Sequence, residues 1–161
     1  MKNTSVKTNA IRILTQRKAQ FTVLCYEPEP DHVLSGVEAA ARLGRAPQAV
    51  FKTLVTTGRS GEHYVFMIPA AAELDLKKAA AAAGEKSIAM LKAKDLLGLT
   101  GYVHGGCSPV GMKKQFACFI DQSAGAHGTV VLSGGRVGVH IEIALDELRK
   151  AVPFSAADLT V

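Results

Sequence analysis

The chain has 161 residues, 48% hydrophobic and 20% charged, which is the composition of a globular chain with a core to bury; it excludes wholesale disorder and argues against several domains. Nineteen Lys and Arg against 14 Asp and Glu leave a net charge of +5 at pH 7, a balance that suits a polyanionic partner without requiring one. The three cysteines form no C-x-x-C pair, which points away from a disulfide framework or zinc ribbon and toward a reducing, cytoplasmic compartment.

The N-terminus lacks the continuous apolar segment of a signal peptide, and no run reaches the length of a membrane span, so a soluble single domain over 1–161 is expected. Val6, Ala10, Ile13 and Leu14 share one helical stripe, which predicts a helix from about 4 to 18. FTVLCY at 21–26 reads as a strand halted by Pro28 and Pro30. Ser35 and Glu38 have the spacing of a capping box, so a short helix is predicted over 36–43 with Gly44 as its stop. The β-rich runs from Ala49 and from His63 flank a Gly58–Gly61 turn and predict a hairpin. Alanine-rich 71–83 is predicted helical, ending at Gly84, and LKAKDLLG adds a second short helix. Strands are predicted at 101–104, 117–120, 129–132 and 137–143, with glycine-rich turns at 125–128 and 133–135, before a last helix at 145–151.

Among candidate functional residues the loop Gly105-Gly106-Cys107-Ser108-Pro109-Val110-Gly111 is the most informative. It presents either a nest of N–H groups to an oxyanion or phosphate, or a plain Gly-Pro turn between strands. It is not a P-loop, because Met112 stands where lysine is needed, and its G-x-S-x-x-G spacing is not that of a nucleophile elbow. Ser133-Gly134-Gly135 reads as a hairpin turn. Lys52 shares a strand face with Val50 and Leu54, so it either snorkels to the edge or lines a cleft and meets an anionic or carbonyl-bearing ligand. The five histidines show no metal-binding spacing, so no metal or other cofactor is expected. Strand alternation sets His140 with Gly138 and Glu142, opposite Val139, Ile141 and Ile143, which makes it a solvent-facing residue. Cys107 is either a reactive thiolate or an inert buried thiol.

Taken in order, Val50-Phe51-Lys52-Thr53-Leu54, Leu74-Asp75-Leu76-Lys77-Lys78, Gly101-Tyr102 leading into Gly105-Gly106-x-Ser108-Pro109-x-Gly111, and Ser133-Gly134-Gly135 before Ile141-Glu142 resemble the YbaK/EbsC family over about 20–150. Its members are free-standing relatives of the editing domain of bacterial prolyl-tRNA synthetases. The resemblance implies an α/β fold, of α+β character, around a mixed curved sheet flanked by helices, and a trans-editing deacylase that clears Cys-tRNA(Pro) by attack of the substrate thiol and cyclisation; the alternatives are a water-using deacylase of Ala-tRNA(Pro) or another mischarged tRNA, and a non-catalytic module that binds tRNA or the synthetase. It implies aminoacyl-tRNA as substrate, with tRNA(Pro) and tRNA(Cys) as the tRNAs concerned, and prolyl-tRNA synthetase as partner, with no role for membrane or DNA. By the same resemblance Lys52 is the catalytic position, and Tyr26, Thr53, Gly105, Gly106, Ser108, Ser133 and His140 form the substrate-binding set. His140 stands where Cys-type members carry Asp, and Ser35 where they carry Phe; these departures bear on aminoacyl specificity rather than on the deacylase class.

Overall fold

The structure, a computed structural model, describes residues 6–161, so the start of the predicted first helix lies outside the described residues. Helix α1 (Asn9–Gln16) begins where the Thr8 hydroxyl accepts from the Ile11 N–H at 3.1 Å, later than apolar spacing alone predicts. Strand β1 (Phe21–Cys25) follows, and then α2 (Gly36–Leu43), which has the predicted capping box between Ser35 and Glu38 and ends at Gly44 in left-handed geometry. Strands β2 (Phe51–Gly58) and β3 (His63–Pro69) form the expected hairpin.

Helix α3 (Leu76–Ala83) starts five residues later than predicted because the Asp75 carboxylate accepts from the Lys77 and Lys78 N–H groups and sets the cap there. The short β4 (Ile88–Met90) and helix α4 (Ala93–Thr100) come next. The predicted strand at 101–104 does not form: Gly101 terminates α4 at φ 87°, and the chain continues as a loop to β5 (Ala117–Asp121). A 3₁₀ turn over Gln122–Ala126 precedes and overlaps the first half of the predicted glycine-rich turn, and β6 (Val130–Arg136) and β7 (Val139–Ile143) follow. The last helix, α5, is limited to Leu145–Leu148, and β8 (Ser155–Ala157) closes the fold.

The strands lie in two sheets, ordered β1-β7-β6 and β4-β2-β3-β5-β8. All pairs are antiparallel except β3–β5 and β5–β8, which are parallel, so the second sheet is mixed. A parallel bridge from Val50 to Val131 brings the start of β2 against β6 and joins the sheets into one bent surface. Strand alternation then sorts the side chains into two cores. Ile141, Leu132, Val55, Val65, Met67 and Ile120 point into the fold of the bend and form the main core, closed by Ala10 and Leu14 of α1 and Leu148 of α5. The opposite surface is covered in two places. Ala40 and Leu43 of α2 pack on Leu24, Val50 and Val131, while Ala79 and Ala80 of α3 pack on Phe66 and Ile68. The fold is therefore the expected α/β arrangement of a mixed, curved sheet flanked by helices.

The approach of α2 is fixed by Gly36. A Cβ added there would lie 2.4 Å from the Cβ of Ala70, whose N–H donates to the Val50 carbonyl at 2.7 Å. Gly36→Ala is expected to destabilise the fold by about 1–3 kcal/mol, the cost of overpacking a rigid contact, read as a lower urea midpoint at constant m.

Candidate active site

Beyond the Val50–Val131 bridge β2 and β6 part, and a cavity of about 390 Å³ occupies the opening. That volume falls within the range of sites that enclose a small molecule or one end of a larger one. Phe51, Lys52, Thr53 and Leu54 of β2 form one wall, and Ser133 of β6 with His140 of β7 form the other. Tyr26 after β1, Leu34 to Gly36 at the start of α2, and His104, Gly105 and Cys107 of the central loop complete it.

Lys52 is half-buried on the surface that the two helices leave uncovered between them, a cleft position rather than a snorkelling one. Burial holds its ammonium below the ordinary lysine value, and the charge of Glu73 opposes that shift without a direct ion pair. Beside it, the Thr53 hydroxyl is buried with no hydrogen-bond partner among the described residues.

His140 is not solvent-facing: only 8% of its surface is exposed. Alternation alone assigns it to the outer surface correctly, but α2 covers that surface, and Leu24 and Ser133 flank His140 on the neighbouring strands. Its ring lies 5.8 Å from that of Tyr26 at a 34° tilt. Nδ1 has no partner among the described residues, and burial lowers the imidazole pKa to about 4, so the ring is neutral at pH 7. Burial also raises the Tyr26 pKa, so the phenol stays protonated. An unpaired buried polar atom is costly unless a ligand satisfies it; Thr53 and His140 each carry one at this cavity.

The central loop divides into two roles. Gly105, at φ 84°, lines the cavity. Gly106 does not: a Cβ there would meet the backbone of Arg136 and Val137 at 2.9–3.1 Å, so this glycine lets the loop press against the β6–β7 hairpin. Its N–H donates to the Val103 carbonyl at 3.0 Å and is not free for an oxyanion. Ser108 is fully buried, away from the cavity, with its hydroxyl accepting from the Val110 N–H at 3.2 Å. Of the eight residues assigned from sequence, the fold brings Tyr26, Lys52, Thr53, Gly105, Ser133 and His140 to one cavity and leaves Gly106 and Ser108 as supports of its wall.

Ser133-Gly134-Gly135 is not the hairpin turn. Strand β6 runs through it with an irregularity between Ser133 and Arg136, and the chain reverses at Val137 and Gly138. This irregularity keeps Ser133 opposite His140 at the cavity. Cys107 borders the same cavity, yet burial raises its thiol pKa to about 12, so it is protonated and a poor nucleophile. The capping box of α2 was the available signal for the wall at Leu34 to Gly36, because it places the start of that helix just after the proline loop.

The family model of the aminoacyl-tRNA editing domain matches residues 31–151, and the chain belongs to that family. A candidate Cys-tRNA(Pro)/Cys-tRNA(Cys) deacylase, EbsC of Enterococcus faecalis, is 40% identical over 159 residues, which span 99% of this chain and 96% of that protein. Among solved structures, one described as a candidate trans-editing enzyme for prolyl-tRNA synthetase is 25% identical with a TM-score of 0.80, covering 98% of this chain and 99% of that one. Another, described as a hypothetical protein, gives a TM-score of 0.82 at 25% identity over 96% of this chain and all of that one.

Proposed function

We propose that the protein is a trans-editing deacylase that removes cysteine from mischarged Cys-tRNA(Pro) in the cytoplasm, in company with prolyl-tRNA synthetase. The observation that carries this reading is a cavity with polar groups awaiting a ligand and no activated nucleophile of its own: among the described residues Lys52 has no ion-pair partner and Thr53 Oγ1 and His140 Nδ1 have no hydrogen-bond partner, and Cys107 is held protonated. An aminoacyl ester is already activated, so the site has to position the acyl group and stabilise the oxyanion that develops on its carbonyl. The cysteinyl thiol can supply the nucleophile. Its sulfur attacks the ester carbonyl to which it is tethered, the carbonyl carbon–oxygen ester bond breaks, and the thiol proton passes to the departing ribose oxygen. The products are a thiolactone and free tRNA. Holding the tethered thiol in an attacking geometry removes much of the entropic barrier to this step.

In this reading the Lys52 ammonium and the Gly105 N–H face the carbonyl and ribose oxygens. Thr53, Ser133 and His140 hydrogen-bond the aminoacyl end, and Tyr26 closes the wall behind it. A proofreading step of this kind is needed because a synthetase pocket built for proline rejects an amino acid of similar size by only about 1–3 kcal/mol. The test is deacylation of Cys-, Ala- and Ser-tRNA(Pro) side by side, with mass detection of the thiolactone from the first. Preferred turnover of the Cys substrate with thiolactone release is the expected result; free amino acid from Ala-tRNA(Pro) as the main product would instead indicate attack by water. Cys107→Ala should keep kcat/KM within about twofold of the parent, since the buried thiol takes no part; loss of most activity in a folded variant would make Cys107 the nucleophile.

A further inference from the structure

A second, shallower cavity of about 270 Å³ adjoins the first and shares Lys52 and Leu54 with it. Its remaining walls are Ala72, Glu73 and Leu74 before α3, Leu76 at the first position of that helix, and Met90 of β4. Leu76 and Met90 are 41% and 45% exposed, unusual for large apolar side chains that border one groove. We propose that this groove is the subsite for the terminal nucleoside of the tRNA, with the adenine against Leu54, Leu76 and Met90. The inference rests on the deacylase reading and adds to it the place of the base.

Three observations support that occupant. The aminoacyl group is esterified to the terminal ribose, so once the acyl end fills the main cavity the ribose must emerge at its mouth. The two cavities meet at Lys52, which therefore lies at the ester and ribose junction. Beyond it, Leu54 and the exposed Leu76 and Met90 side chains offer apolar surface against which the face of a base can be buried. Glu73 selects against the other candidate, a phosphate: a carboxylate in the groove repels an anion, whereas it accepts a hydrogen bond from the exocyclic amine of adenine or from a ribose hydroxyl. The phosphodiester chain then leaves toward solvent rather than along the groove.

The experiment uses the full chain labelled with ¹³C at its methionine methyls. The probe is 3′-amino-3′-deoxyadenosine carrying an amide-linked cysteine, compared with cysteine methyl ester. The Met90 resonance is expected to shift with the adenosine conjugate and to stay in place with the methyl ester, while that of Met67, fully buried in the main core, stays in place with both. In parallel, the Leu76→Ser/Met90→Ser double variant, which alters exposed positions only, should raise KM for Cys-tRNA(Pro) about tenfold with kcat unchanged, the loss expected when apolar contact with the base is removed. An unmoved Met90 at saturating conjugate, or an unchanged KM in the double variant, overturns the subsite while active wild-type protein leaves the deacylase reading standing. A wild-type protein that neither binds the conjugate nor deacylates any mischarged tRNA overturns both.

Discussion

Lys52→Ala is expected to lower kcat/KM for Cys-tRNA(Pro) by about 100- to 1000-fold, the usual loss when one preorganised group that stabilises a developing oxyanion is removed. No carboxylate among the described residues is within ion-pairing distance of Lys52, so its charge is not committed to the fold. Burial disfavours its protonated form, and Glu73 only partly compensates. Replacing a partly desolvated and unpaired ammonium by alanine should therefore leave the unfolding midpoint unchanged or slightly raised. Lys52→Met separates the two functions of the side chain, because it keeps the aliphatic contact with the cavity wall and lacks the charge. It should be as inactive as the alanine variant. Lys52→Arg keeps the charge but spreads it over a planar fork, so partial activity is expected. Single-turnover deacylation measured beside thermal unfolding decides the matter; full turnover by the methionine variant would remove Lys52 from the chemistry.

Local signals in the sequence read out well where one side chain sets the backbone. Ser35 and Glu38 fix the start of α2 by mutual capping, Gly44 and Gly84 stop α2 and α3, and the β2–β3 hairpin follows from β-branched runs on either side of a glycine turn. What was not legible depends on partners distant in the chain. Strand β8, Ser155–Ala157, has no alternation of its own and exists because it pairs in parallel with β5. Residues 101–104 look extended, but Gly101 caps α4, and the Tyr102 hydroxyl donates to the Val110 carbonyl at 2.6 Å, which folds this stretch into the central loop.

The site shows the same division. Lys52 could be suspected because a lysine on an apolar strand face is anomalous by itself. His140 could not be placed by alternation, since its burial comes from α2, which is remote in sequence and is held over β7 by the Arg45–Glu142 pair at 2.6 Å. Gly106 and Ser108 lie outside the cavity lining for a related reason. Both belong to a glycine loop whose composition suggests a ligand nest, yet Gly106 yields to the hairpin backbone and Ser108 to an internal turn.

The neutral His140 predicts a stability that depends on pH. Its folded pKa of about 4 lies below the ordinary histidine value of 6.5, so between these limits the unfolded chain binds a proton that the folded protein refuses. The contribution of the neutral ring is complete above pH 6.5 and is lost progressively as the pH falls toward 4, to a total of about 3 kcal/mol at 1.36 kcal/mol per unit. His140→Asn keeps a polar group in the same place without the titration. Urea unfolding at pH 7 and pH 4 should show the wild type losing about 3 kcal/mol more than this variant over that interval. The Glu38 and Glu142 carboxylates, whose pKa values are lowered by their hydrogen-bond partners, contribute equally to both proteins and cancel in the comparison. The same neutrality applies to the reaction. If His140 meets the aminoacyl group as an uncharged imidazole, the pH profile of kcat/KM has no inflection near 6.5 that the Asn variant abolishes. Such an inflection in the wild type, absent from the variant, would show that the ring exchanges its proton with solvent during turnover.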